Sequence, residues 1–429
     1  MSGFFWRMKG AGDMAKGQAY LKSLLARKRN RAQLRYNFYE MKTYVRDLDL
    51  VRNTRLMYIA PTLGWCGKAV DSLADRLQFA GWKNDNFNLD QIFMLNNADI
   101  FFDSAILSAL ITSCCFVYIS KDETGFPRLT VLDGREATGI IDPVTNLLEE
   151  GYAVLKRNDD GSPAQEAYFL PGETYFFENG QLHHVASYSC DYPLLVPIIY
   201  RPDAVRPLGH SRISRAMMSL VEGAVRTVKR SEITAEFYSF PQKYLLGTDP
   251  DDVPIDKQKA TLSTFLEITA NEDGSKPTIG QFTQQSVQPH IDQIRAFASL
   301  FAGETGLTMD DLGFVSDNPS SAEAIKAGHE SLRVLTEKAQ RTFGSCFLNV
   351  GYIAACVRDN FAYQRRQFYL TEMKWMPAFK PDAAALSVIG DGAIKINQAI
   401  PGYFNKDNLT DLTGIDPSEM DPVDQVDDE

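Results

Sequence analysis

Residues 211–239 carry an apolar side chain at every third or fourth position: Ile213, Met217, Leu220, Ala224 and Val228. Arg212, Arg215, Glu222, Arg226, Lys229, Arg230, Glu232 and Glu236 fill the other faces, and Pro241 ends the run. At 3.6 residues per turn this is one stripe along a rod of roughly eight turns. A rod that long needs something to cover its stripe, and the chain supplies a second helical segment from about Pro289, with Ile291, Ile294, Ala298 and Phe301 on one face. Between the two lies a compact insert, residues 241–286. It reads as a strand at Lys243 to Leu246, the turn TDPDDVP, a short helix near Asp256 to Phe265, then NEDGSKP and a polar strand-like stretch. After the second helix comes GETGLTMDDLGFVSDNPSSAEAI (303–325), and the spacing then predicts a long helix from Ser320 to about Asn360, with Leu332, Leu335, Ala339, Phe343, Phe347 and Val350.

The rest of the chain is of two kinds. Residues 15–60 read as helical with interspersed basic side chains, Trp65 to Leu77 as an amphipathic helix, and Leu89 to Ile111 as a third helix. From about 112 to 200 the pattern becomes β-rich. Short runs at 115–119, 128–132, 140–141, 151–156, 166–170 and 174–177 are separated by DETG, NDDGSP, LPGE and the hairpin turn Glu178-Asn179-Gly180. DETG and NDDG lack the alternating ligands of a calcium loop and read as turns. Residues 382–415 read as two helices around IPGYF, so the fold class is α+β with helix predominating.

Most enzyme chemistries lack their residues. Gly64-Trp65-Cys66-Gly67-Lys68-Ala69 ends like a phosphate loop, but its glycines are too close and Ala69 stands where a magnesium-binding hydroxyl belongs. There is no GxSxG or HExxH motif, and five histidines leave few general bases. The six cysteines (66, 114, 115, 190, 346 and 356) form no CxxC pair, and they read as reduced core residues of a cytosolic protein rather than a zinc site. The start lacks a signal-peptide core, and Ile100 to Ile119, with Asp103 inside it, reads as a buried helix followed by a buried strand rather than a membrane span. Net charge is −11, with +9 over residues 1–60 (13 Lys/Arg less 4 Asp/Glu) and −9 over 407–429, where no Lys or Arg occurs. Such blocks read as solvated arms, and the acidic tail as disordered.

Asp310 and Asp311 are the one candidate carboxylate pair, and with Glu323 they leave an acid-residue hydrolase or nuclease as an alternative. Neighbouring carboxylates in a loop point apart, however, and no partner base or metal triad is nearby. Ser320 and Glu323 have a purely structural account: Ser-x-x-Glu after Pro319 is a capping box that restarts a helix.

The ordered set WCGKAVDSLADRLQFAGW, LTVLDGREATGIIDP, GHSRISRAMMSLVEGAVRTVKRSEITAEFYSFPQKYLLG, GLTMDDLGFVSDNPSSAEAIKAGHESL and DGAIKINQAIPG resembles the SPP1-type family of bacteriophage portal proteins, over roughly residues 35–415. The resemblance implies a portal fold of wing, stem, clip and crown that closes into a ring of about twelve copies at one capsid vertex. By position, 1–205 would be wing, with the β-rich part at about 112–200. Residues 206–240 and 287–308 would be stem helices around the clip at 241–286. A long wing helix at 320–370, a short crown at 371–415 and an acidic tail at 416–429 would follow. Met309, Asp310, Asp311, Leu312, Gly313, Phe314, Val315, Ser316, Asp317 and Asn318, within 309–319, would be the tunnel loop nearest translocating double-stranded DNA. The resemblance implies no catalysis, no cofactor and no membrane. Its partners would be the terminase motor, major capsid and scaffolding proteins and head-completion proteins, in the virion after assembly in the host cytoplasm. A non-channel head or adaptor protein is the other alternative.

Overall fold

The computed structural model describes residues 16–43, 45, 60–239, 243–246, 278–281, 286–314, 327–379, 381 and 383–415. Helix predominates over strand among the described residues, in a mixed architecture. In chain order its first elements are α1 (Gln18–Tyr39), α2 (Trp65–Ala74), β1 (Phe79–Lys83), α3 (Leu89–Met94) and α4 (Ala98–Thr112). The β-rich region follows as β2 (Cys114–Lys121), β3 (Pro127–Leu132), β4 (Ala137–Ile141), β5 (Leu148–Arg157), β6 (Pro163–Leu170), β7 (Glu173–Glu178), β8 (Gln181–Ser187) and β9 (Leu195–Ile199). Then come α5 (Arg215–Ser239), β10 (Lys243–Leu246), β11 (Thr278–Gln281), α6 (Gln288–Thr305), α7 (Glu330–Asp359), β12 (Glu372–Trp375), α8 (Ala383–Ala399) and α9 (Lys406–Thr413). Two compact units result: Met1–Glu40, Cys66–Ser214 and Ser320–Glu429 make one, Met41–Trp65 and Arg215–Pro319 the other.

The larger unit holds a five-stranded antiparallel sheet in the order β4-β5-β6-β7-β8 and a three-stranded sheet in the order β3-β2-β9. Glu178 pairs with Gln181, and Asn179 (φ 47°) and Gly180 (φ 80°) are both left-handed, the two-residue turn that Asn-Gly favours. That turn generates β8. β9 had no sequence signature, because Pro197 interrupts its apolar run; it is an edge strand, where a residue without an N–H is tolerated. α1 lies on the five-stranded sheet, with Leu21 and Leu25 against Tyr152 and Val154. Beside them the Glu166 carboxylate accepts hydrogen bonds from Lys22 Nζ and the Tyr152 hydroxyl, and Glu150 accepts one from the Tyr168 hydroxyl at 2.7 Å.

The expected helix over 89–111 is two helices. Asn96 and Asn97 break it, with Asn97 left-handed at φ 54°, and the Asn96 side chain ties the break to β3 by donating to Pro127 O (3.0 Å) and accepting from Leu129 N (3.0 Å). The basic helix of the N-terminal region ends at Tyr39, followed by left-handed Met41; residues 46–59 lie outside the described residues. Helix α5 starts at Arg215 rather than Ser211, whose hydroxyl accepts from Ile213 N and donates to Ile111 O at 2.6 Å. α4 followed by β2 is the buried helix and strand anticipated for 100–119, and no described helix is long and apolar enough to cross a membrane.

Phe102 forms the centre of an aromatic cluster, 4.2 Å from the Phe79 ring, 5.1 Å from Phe93 and 4.7 Å edge-on to Phe347 of α7. From Cys346 to Val357 every residue of α7 is buried, as expected of a helix enclosed on all sides. β1 pairs with β12 nearly three hundred residues later, joining Phe79 to Trp375 and Lys83 to Glu372.

Candidate functional site

The smaller unit is built on α5 and α6. Thr227 Oγ1 lies 3.2 Å from Gln293 Oε1, and Thr234 Oγ1 lies 3.2 Å from His290 Nε2. Gly223 faces Phe297, where a Cβ would come within 2.8 Å of the ring. As the α5 numbers fall (234, 227, 223) their partners in α6 rise (290, 293, 297), so the helices run antiparallel. The glycine lets the backbone approach that ring. Met217, Val221, Ala224 and Val225 of α5 and Ala298, Phe301 and Ala302 of α6 are buried, and Trp65 lies 5.6 Å from the Phe301 ring.

The two ends of the pair differ. Beyond the C-terminus of α5, β10 pairs antiparallel with β11 from Lys243↔Gln281 to Leu246↔Thr278, closing a ribbon before α6 begins. The expected short helix near 256–265 lies outside the described residues. At the other end, left-handed Gly306 (φ 73°) stops α6 by donating its N–H to Ala302 O at 2.8 Å, and the chain enters the candidate loop.

That loop is braced from within. The Thr308 N–H and hydroxyl both donate to Asp311 Oδ2, at 2.9 and 2.8 Å, while Asp311 N–H donates back to Thr308 Oγ1 at 3.2 Å. This reciprocal pair is a capping arrangement on the single 3₁₀ turn Asp310–Leu312. Left-handed Gly313 (φ 87°) ends the turn, its N–H donating to Asp310 O, and Phe314 N–H donates to Met309 O, both at 3.0 Å. Asp311 thus points into the loop, whereas Asp310 and Gly313 are exposed and Met309, Leu312 and Phe314 are half-buried.

The two carboxylates therefore do not converge on one site. Among the described residues no group of three His, Cys, Asp or Glu side chains is placed to hold a metal ion. Val315, Ser316, Asp317, Asn318 and the capping pair Ser320/Glu323 lie outside the described residues. The Thr308–Asp311 box was legible as Thr-x-x-Asp, the same spacing read at Ser320–Glu323, but it was not singled out from the sequence. The Gly223–Phe297 approach had no sequence signal, since nothing local tells which residue faces a glycine.

The chain thus holds an antiparallel helix pair with a ribbon at one end and a self-braced turn at the other, and it also contains a β-rich unit. Over residues 73–386 the chain matches the family model described as phage portal protein, SPP1 Gp6-like, and it belongs to that family. It is 23% identical over 331 residues to the portal protein of Mycobacterium phage L5, covering 72% of this chain and 68% of the relative; the portal protein of Mycobacterium phage D29 gives the same values. Among solved structures, a chain of the virion of a native gene transfer agent particle aligns over 91% of this chain and 99% of its own length, with TM-score 0.47 and 15% identity. A chain of the neck of that type of particle, determined with C12 symmetry, aligns over 89% and 98%, with TM-score 0.45 and 16% identity.

Proposed function

We propose that this chain is the subunit of a portal ring at one vertex of a phage capsid, through which double-stranded DNA passes during packaging and ejection. The observation that carries the reading is the α5–α6 pair with its braced loop, in a chain of the portal family. In this reading α5 and α6 are the stem, the β10–β11 ribbon belongs to the clip, and Met309–Asn318 is the tunnel loop. The β-sheets with α1–α4 and α7 form the wing, and α8 and α9 a short crown. Terminase and head-completion proteins dock at the clip, while scaffolding and major capsid proteins contact the rest. Assembly takes place in the host cytoplasm and the ring remains in the virion.

Charge supports the reading. A conduit must not grip, because each neutralised phosphate adds affinity and slows sliding, and about twelve chains at −11 give 12 × −11 = −132. The divergence of Asp310 and Asp311 weighs against a hydrolase. Native mass spectrometry of the purified chain tests the assembly: about twelve copies of 48.1 kDa give 12 × 48.1, about 577 kDa. A chain that stays monomeric at high concentration, with or without scaffolding protein, overturns the proposal.

A further inference from the structure

We infer that the chain's own N-terminal segment, through Phe4, Phe5 and Trp6, docks on the half of the five-stranded sheet that α1 leaves uncovered. Strand register defines the surface. Tyr152 of β5 packs under α1, and the pairs Tyr152↔Tyr168, Tyr168↔Tyr175 and Tyr175↔Val185 carry one face across β6 and β7 to β8. A second row on that face runs Val154, Glu166, Phe177 and Leu182. α1 covers Tyr152 and Val154, but Leu182 is 55% and Val185 43% exposed, and Tyr175 and Phe177 are only half-buried.

The edge of the sheet is equally open. β8, QLHHVAS, has no Lys, Arg, Asp, Glu or Pro, the residues that usually guard an edge strand, and nearly all of it is exposed. An unguarded edge of this kind, with Leu182 and Val185 exposed on that face, fits an occupant.

Three observations name that occupant. First, the chain leaves α1 at this border: the Lys16 and Gly17 N–H groups donate to the Glu150 carboxylate at 2.8 and 3.2 Å, and Glu150 also holds the Tyr168 hydroxyl. Left-handed Gly17 (φ 85°) turns the chain off the helix there. Second, the length suffices. The ten residues from Trp6 to Lys16 span up to about 33 Å, whereas Tyr168 and Val185 are two strands apart, about 10 Å. Third, the charges match: Arg7 and Lys9 follow the aromatic triplet, and Glu173, exposed at the start of β7, lies on the same face as Tyr175 and Phe177.

Hydrogen–deuterium exchange on the full chain, at a concentration where it is unassembled, tests the inference. The comparison is with the Phe4→Ser/Phe5→Ser/Trp6→Ser variant, whose changes lie outside the described residues. Amides of 174–187 are expected to exchange about tenfold faster in the variant, those of 148–157 unchanged. Reciprocally, Leu182→Lys/Val185→Lys is expected to speed exchange of amides 4–8. Equal exchange of 174–187 in wild type and variant overturns the inference. So does protection that appears only in the assembled ring, since the occupant would then be another copy's arm.

Discussion

Replacing Gly223 tests how closely α5 and α6 are packed, because two effects of similar size oppose each other there. In a free helix Gly→Ala stabilises by about 1 kcal/mol. Here the new Cβ would lie 2.8 Å from Phe297 Cζ and 2.9 Å from Cε1, against an ordinary carbon–carbon contact of about 3.5–4.0 Å. Relief requires the Phe297 ring to swing by most of an ångström. Leaving its rotamer costs about 0.5–1.5 kcal/mol, and overpacking in general about 1–3 kcal/mol. The helical gain is thus cancelled or reversed, and Gly223→Ala is expected to lie between neutral and about 2 kcal/mol destabilising. In a Phe297→Ala background the obstacle is gone, so the same change should stabilise by about 1 kcal/mol. The coupling between the two sites is then about 1–3 kcal/mol, measured as a double-mutant cycle by urea unfolding of the unassembled chain at fixed concentration. If Gly223→Ala stabilised by about 1 kcal/mol in both backgrounds, the close approach would be refuted.

Three further outcomes follow from other parts of the molecule. Glu166→Leu leaves the buried Tyr152 hydroxyl without its acceptor and should cost about 1–3 kcal/mol in urea unfolding, whereas Tyr152→Phe, which leaves Glu166 paired with Lys22, should cost less. In the loop, Asp311→Ala removes the cap and should lower stability by about 0.5–2 kcal/mol, Asp310→Ala should be silent in the same melt, and both should still assemble on a sizing column. Burial raises the Cys66 thiol from 9.0 to about 12 and Cys346 to about 11. The unfolded chain releases these protons first, so stability is level below pH 9 and falls by about 1.4 kcal/mol per pH unit per thiol up to the folded value. Urea midpoints between pH 8 and 11 measure this, and both thiols should resist a thiol reagent at pH 8 until urea is added.

Membership of the portal family tells what kind of assembly to test for, but the local geometry decides which residues to perturb. Asp310 and Asp311 are adjacent in sequence and have different surroundings: one lies in solvent, the other is spent on holding Thr308.

The sequence by itself determined what depends on neighbours along the chain. The period of 3.6 marked α5, α6 and α7, and Asn-Gly marked the β7–β8 turn, because side-chain direction and allowed φ are set within a few residues. Local contests were harder to read. Asn97 outweighed the apolar run of 89–111, and Pro197 hid β9, which is tolerated only because it became an edge. Tertiary structure alone decided the pairing of β1 with β12, the fit of Phe297 against Gly223 and the division into two discontinuous units. These contacts join residues tens to hundreds of positions apart. Which of them forms depends on which burial offsets the entropy of closing the loop between them, and no short window of sequence carries that information.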